Sequence, residues 1–278
     1  MHPELERLIK ERPDLEPILK FYDLVLEKQE GSRPDDLSPI VDLTEDSIKD
    51  SLTNSIPLID PAKVGLLNLQ NSLTLFSKLL GLIKASSPLF GHHSEGIEAG
   101  LEGLDMEEPM RSALGGDLEE LYRFTDKAGI SRDLLCFLIW LSMTPSLRKL
   151  SSMVEEKIHP AWWDRPSCPL CGQLPNMVEV EGEGRRLSCS FCFMEWGYTG
   201  PECPFCCNKE TKMFGTLRIK GEDGYHLSIC GNCNGYIKVI DRKHISGELG
   251  NQIIDLISLP LDVIARQKGH KRPTLFPL

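Results

Sequence analysis

Eight of the ten cysteines fall into four C-x2-C pairs: Cys168-Pro-Leu-Cys171, Cys189-Ser-Phe-Cys192, Cys203-Pro-Phe-Cys206 and Cys230-Gly-Asn-Cys233. A C-x2-C turn aims two sulfurs at one point. Two such turns brought together place four sulfurs at the corners of a tetrahedron, the arrangement in which soft thiolates hold zinc or iron. The gaps between the pairs are 17, 10 and 23 residues. The first and third gaps carry hairpin signals, so pairing in chain order is favoured over a crossed pairing. Site one is then Cys168, Cys171, Cys189 and Cys192, and site two is Cys203, Cys206, Cys230 and Cys233. The cofactors expected are two metal ions, one in each four-cysteine site. The ligands must be deprotonated against a free thiol pKa of about 8.5, and the metal supplies that shift.

Other sulfur chemistry fits less well. Disulfides belong to exported chains, and the regular x2 spacing argues for a metal. A thiol oxidoreductase needs one C-x2-C before a helix in a βαβ unit, whereas these four pairs lie in turn-rich, β-rich sequence. Iron–sulfur clusters use compact cysteine runs that are absent. Cys207 reads as a spare thiol beside a ligand rather than an alternative ligand, and Cys136 as a core thiol in an apolar helix. His92-His93 reads as a solvated turn. The residue after each second cysteine favours a left-handed backbone. Gly172 and Asn234 suit that; Phe193 and Cys207 do not, which predicts two turns that are more open or bent differently. No nucleophile–base series, phosphate loop or dinucleotide fingerprint appears, so the expectation is a non-enzyme.

These pairs need a scaffold. Residues 1–160 read as an all-α domain of about seven helices. Leu15, Ile18, Leu19, Tyr22 and Leu26 recur at helical spacing, a further helix is expected from Pro61 to about Lys84, and Asp117 is an N-cap candidate. Leu134–Leu141 is apolar nearly all round and reads as the central helix. Pro39–Thr53 has weak periodicity and gives no assignment. His159–Pro166 reads as a linker, with Trp162, Trp163 and Trp196 as packing anchors. Strands are expected at 177–180 and 186–188 about a turn at 181–184, at 213–219 and 225–229 about a turn at 220–224, and at 236–240. The helical period returns at Ile253–Ile264. The expected fold class is α+β: an N-terminal all-α helical domain (1–160), two rubredoxin/zinc-ribbon-like four-cysteine knuckle modules (161–200 and 201–245), and a C-terminal helix and tail (246–278).

The chain of 278 residues has a net charge of −10, all of it in residues 1–150; residues 151–278 balance. An acidic front half argues against nucleic acid as a partner, although a zinc-ribbon nucleic-acid-binding protein remains the alternative reading, with a thiol oxidoreductase behind it. The longest nearly apolar run, Leu134–Met143, is half the length of a membrane span. The amino terminus lacks a secretory apolar region, so a cytoplasmic location without membrane attachment is expected.

The carboxy-terminal half resembles the formate dehydrogenase accessory proteins, the FdhE family. The matching stretches are Cys168-Pro-Leu-Cys171-Gly-Gln-Leu-Pro175, Arg185-Arg-Leu-Ser-Cys189-Ser-Phe-Cys192-Phe-Met-Glu-Trp196, Cys203-Pro-Phe-Cys206, Cys230-Gly-Asn-Cys233-Asn-Gly-Tyr236-Ile-Lys238, Asp255-Leu-Ile-Ser-Leu-Pro-Leu-Asp262 and Leu275-Phe276-Pro277. Together they span about 110 residues, and the combination is far more specific than any single knuckle. The front half resembles the family in its helical character only. Two positions depart from the pattern. Gly200 stands where the family has Arg four residues after the Trp, and Ile254 precedes Asp255 where paired acids are usual. If those positions touch a client, the contact chemistry differs here. The resemblance implies a cytoplasmic maturation factor with rubredoxin-like modules and iron as the metal. Its implied partner is the formate dehydrogenase catalytic subunit, bound before or during cofactor insertion, with metal sites that are structural or redox-sensing. It leaves a homodimer open. Asp255 and Asp262, seven apart on one helical face, read as caps, surface residues or client contacts.

Overall fold

The computed structural model describes residues 1–90, 96–181, 184–200, 202–245 and 249–274. His92-His93, the tip of the first hairpin at 182–183 and the Leu275-Phe276-Pro277 ending lie outside them. The described chain forms two compact units, one of Met1–Leu43 with Ile59–Met153, the other of Thr44–Leu58 with the chain from Val154 onward.

The first unit is helical. It contains α1 (Pro3–Glu11) and α2 (Glu16–Glu30). The segment Thr44–Leu58, which belongs to the second unit, contributes α3 (Glu45–Thr53). Back in the first unit come α4 (Gln70–Ala85), α5 (Ser87–Phe90), α6 (Ile97–Leu101), α7 (Glu107–Gly115), α8 (Leu118–Ala128) and α9 (Arg132–Glu155), which ends in the second unit. Asp117 is the N-cap of α8, its Oδ1 accepting from Glu120 N at 3.0 Å, and the first-turn acids Glu119 and Glu120 suit the helix dipole. The expected helix from Pro61 is shorter than the periodicity suggests. Pro61–Leu66 is a 3-10 segment, Leu67 is extended, and α4 starts at Gln70. The reason is Asp35, a buried carboxylate whose two oxygens accept from Asn71 N and Ser72 N at 2.9 Å each and so fix the first turn.

Helix α9 is the centre of that unit. Leu135, Leu138, Ile139, Leu141, Met143 and Leu147 are completely buried. It runs on through Pro145, which has no N–H for the carbonyl four residues earlier and would ordinarily cost about 3 kcal/mol in a helix interior. That carbonyl, Leu141 O, instead accepts from the buried amide Gln29 Nε2 at 2.7 Å. A side chain from α2 therefore occupies the acceptor the proline leaves open.

Among its described residues the second unit holds six strands: β1 (Pro175–Glu181), β2 (Gly184–Cys189), β3 (Glu195–Gly197), β4 (Phe214–Leu217), β5 (Tyr225–Cys230) and β6 (Tyr236–Asp241). They form one sheet in the order β3-β2-β1-β6-β5-β4, so the two knuckle modules share a single sheet. All neighbours are antiparallel except β1 and β6, which run parallel with Val178 opposite Val239. The late helical segment is two helices, α10 (Asn251–Ile257) and α11 (Leu259–Gln267). Pro260 in the first turn of α11 lacks the N–H that would continue α10.

The sheet is an internal repeat. Each half is a knuckle, a hairpin, a second knuckle and a third strand. Counted from the second knuckle the registers coincide from Met177 onward, Met177 facing Ser188 as Gly215 faces Ile229 and Val178 facing Leu187 as Thr216 faces Ser228; a register shift between Pro175 and Met177 of β1 has no counterpart in β4. The third strands agree too, with Ser188 opposite Glu195 and Leu187 opposite Trp196, as Ile229 is opposite Tyr236 and Ser228 opposite Ile237. The halves join head to tail, the third strand of the second half lying against the first strand of the first.

Candidate metal centres

The hairpins bring the eight cysteines into two groups in chain order, Cys168, Cys171, Cys189 and Cys192, and Cys203, Cys206, Cys230 and Cys233, with all sulfurs of a group within 4.8 Å of one another. In the first group Cys168 and Cys192 lie 3.5 Å apart and Cys171 and Cys189 3.4 Å. In the second, Cys203 and Cys233 are 3.8 Å apart and Cys206 and Cys230 3.7 Å. These separations exceed the ~2.05 Å of a disulfide. They approach the roughly 3.8 Å edge of a tetrahedron whose centre lies about 2.3 Å from each sulfur, the Zn–S distance. The donor set and its spacing therefore fit a tetrahedral thiolate-bound ion at each centre.

One backbone pattern builds all four knuckles. The N–H of the first cysteine donates to the carbonyl five residues on: Cys168 to Gln173, Cys189 to Met194, Cys203 to Asn208 and Cys230 to Gly235, at 2.8–2.9 Å. Further N–H groups turn toward the sulfurs, Phe191 N to Cys189 Sγ and Gly235 N to Cys233 Sγ at 3.4 Å each. Such donors favour thiolates over thiols. Closing the loop requires a left-handed residue after the second cysteine, and all four knuckles have one: φ is 75° at Gly172, 66° at Phe193, 56° at Cys207 and 59° at Asn234. The expectation of two differently bent turns at Phe193 and Cys207 is thus overturned. The repeated hydrogen bonds impose the same geometry on residues that disfavour it by about 1–2 kcal/mol each.

The thiols of the first group differ in how readily they ionise. Burial, joined by neighbouring sulfurs, pushes Cys171 and Cys192 well up, while at Cys189 the neighbours' hydrogen bonds outweigh burial and hold it down. Four packed sulfurs cannot all be anionic without a cation, and a bound ion reverses that balance. The second centre is more open: Cys206 and Cys233 are both part-exposed, against Cys171 alone in the first. Asn232 Nδ2 donates to Cys206 Sγ at 3.5 Å and is the largest influence holding that thiol down, to about 7.

The remaining cysteines stay apart from both groups. Cys136 is buried in α9, its thiol pushed up to about 12 by burial. Cys207 is exposed. Trp163 and Trp196 are buried anchors for the lead-in to the first knuckle, their Nε1 atoms donating to Ser167 O at 2.8 Å and Arg165 O at 3.1 Å. The residues that follow α3 also support that knuckle. Leu58 N donates to Pro169 O at 3.0 Å and Arg165 Nη2 to Ser55 Oγ at 2.9 Å.

Asp255 and Asp262 are neither caps nor surface residues. They lie beneath the sheet with the fully buried Lys238, whose Nζ is 2.5 Å from Asp255 Oδ1 and 2.6 Å from Asp262 Oδ2. Arg272 adds two bonds of 2.8 Å to Asp255, and the Tyr236 hydroxyl donates to Asp262 Oδ1 at 2.8 Å. Burial would raise Asp255, but Arg272 and then Lys238 prevail and hold it at about 2. This network fastens α10, α11 and the segment that follows to β6. The two positions that depart from the family pattern lie outside this network. Ile254 is fully buried, so an acid there would lack water. A side chain at Gly200 would begin 2.6 Å from both the Tyr198 hydroxyl and Glu202 Oε2.

No protein-family model matches the chain. It is similar to a protein named FdhE homolog from Aquifex aeolicus, with 27% identity over 271 residues, 94% of this chain and 88% of that one. A second FdhE homolog, from Pseudomonas aeruginosa, is 31% identical over 122 residues, covering 39% of this chain and 38% of its own length. The fold is similar to the crystal structure of the FdhE protein from Pseudomonas aeruginosa, with a TM-score of 0.59 and 18% identity over 94% of this chain and 87% of that one. Among the described residues, no single helix is long and apolar enough to cross a membrane.

Proposed function

From its kinship with the FdhE proteins along nearly its whole length, we propose that the chain is a non-catalytic accessory factor for formate dehydrogenase. It binds the immature catalytic subunit in the cytoplasm, and each four-cysteine group holds one metal ion. The observation that carries this reading is the near full-length similarity to an FdhE homolog in a chain that also brings eight cysteines into two four-sulfur groups. Four thiolates complete a tetrahedral shell and leave no position for a substrate, which supports a role in shape rather than catalysis. The sheet buries apolar side chains of its own, Leu187, Leu227, Tyr236 and Ile240 among them, and ligation adds to that core by holding the knuckles closed. The family resemblance favours iron. An iron tetrathiolate also passes one electron, which a zinc site cannot, so the more open second centre is the one suited to sensing redox state.

The test is co-purification of the tagged chain with the formate dehydrogenase catalytic subunit of its own host, compared before and after that subunit has received its cofactor. Capture of the immature form alone is expected. No capture of either form, with formate dehydrogenase activity normal in a strain lacking this chain, would end the reading.

A further inference from the structure

We infer that the outer edge of β4 docks an extended, acidic segment of the client polypeptide, which adds to the sheet as a parallel seventh strand. The client is the catalytic subunit proposed above, so the inference rests on that reading.

The internal repeat marks this edge. In register, Thr216 and Leu217 of the second half stand where Val178 and Glu179 stand in the first, and Arg218, the residue just past β4, follows at the place of Val180. In the first half that edge is filled: β6 lies parallel along it, with Val239, Ile240 and Asp241 opposite those three residues. In the second half the equivalent edge ends the sheet among the described residues. Gly215 and Thr216 are exposed there, and Phe214 and Leu217 partly so. Met213 O accepts from Gly231 N at 2.7 Å on the β5 side. By the alternation of an antiparallel ladder, Gly215 and Leu217 then face β5, and Phe214, Thr216 and Arg218 turn their N–H groups outward. The same backbone geometry that receives a parallel strand inside the molecule is thus presented at its rim. Strand addition of this kind takes its affinity from main-chain bonds.

Charge selects the occupant. At the filled edge, Glu179 of β1 meets Arg242, just beyond β6, with Arg242 Nε 2.9 Å from Glu179 Oε2. At the open edge the flanks are basic. Residues 209–220 hold Lys209, Lys212, Arg218 and Lys220 against Glu210, in a chain whose net charge is −10. Leu217 stands at the place of Glu179, so the acids of an added strand would meet Arg218 and Lys220 on the flank of β4. Lysines along an edge also discourage pairing with a second copy of the same edge.

The experiment is hydrogen exchange of the full, metal-loaded chain, alone and in complex with the immature catalytic subunit, with affinities measured for Thr216→Pro and Thr216→Ala. Complex formation should slow exchange at Phe214, Thr216 and Arg218 at least tenfold. Thr216→Pro, which deletes one outward N–H and leaves the β5 ladder intact, should weaken binding at least tenfold. Thr216→Ala should stay within threefold, and both variants should retain two metal ions per chain. A complex that forms with β4 exchange unchanged would overturn the inference and leave the accessory reading standing. Absence of any complex would overturn both. Protection of β4 in the chain alone, rising with its concentration and with a dimer mass, would assign the edge to a second copy and overturn the client assignment.

Discussion

Replacing Lys238 by Met tests whether the buried charges beneath the sheet hold the second unit together. In the wild type one ammonium and one guanidinium face two carboxylates, all at most 3% exposed. The substitution keeps most of the side-chain volume but removes the ammonium within 2.6 Å of both Asp255 and Asp262 and the donor to Asp255 O at 2.8 Å. Two buried carboxylates then share one cation, Arg272. Removing one partner of a buried pair costs about 3–5 kcal/mol, because a charge stays buried without compensation. At an m-value of about 2 kcal/mol/M, the urea midpoint of the second unit should fall by roughly 2 M. The assay is urea unfolding followed by tryptophan fluorescence, with metal retained throughout. The double variant Lys238→Met, Asp262→Leu removes one charge of each sign and leaves Asp255 with Arg272. It should be more stable than Lys238→Met by at least about 1 kcal/mol, even though Tyr236 loses its acceptor. A loss below about 1 kcal/mol for Lys238→Met, with metal content unchanged, would refute the reasoning.

The left-handed knuckle residues make a second prediction: Cys207→Gly should raise stability by about 1 kcal/mol through relief of its positive φ, and Cys207→Ser should keep two ions per chain, checked by urea unfolding and metal analysis. In the first unit, hydrogen bonds to Asp23 and then Glu30 raise His2 above its ordinary 6.5. Its contribution is therefore complete below pH 6.5 and is lost as pH rises through the raised folded value. The melting temperature should drop as pH rises above 6.5 in the wild type and drop less in His2→Ala, with the ring titration followed by NMR.

The chemistry-bearing residues were legible because four x2 spacings and two hairpin signals are local, and the hairpin register that unites distant pairs follows from them. Helix α8 and its Asp117 cap were legible for the same reason. Long-range satisfaction of polar groups was not. Gln29 serving the carbonyl that Pro145 leaves open, Asp35 starting α4, and the Lys238 network all join residues far apart in sequence, and no periodicity marks them. The seven-residue spacing of Asp255 and Asp262 placed them on one face but carried no sign of the lysine from β6 and the arginine beyond α11 that neutralise them. Strand β3 has three residues, too short for an alternation signal, and α7 opens with two acids that obscure its apolar face. The bend of the turns at Phe193 and Cys207 was misread because residue preference was weighed without the knuckle's own hydrogen bonds, which set φ whatever the side chain.

The most direct test of two closed four-sulfur centres is X-ray absorption on the protein as purified, combined with metal quantitation and thiol labelling. Two ions per chain, each with four sulfur neighbours at about 2.3 Å, and labelling confined to Cys207 until the fold is opened would match the geometry described here. Fewer than four sulfurs per ion, or sulfurs linked to each other in place of a metal, would contradict it.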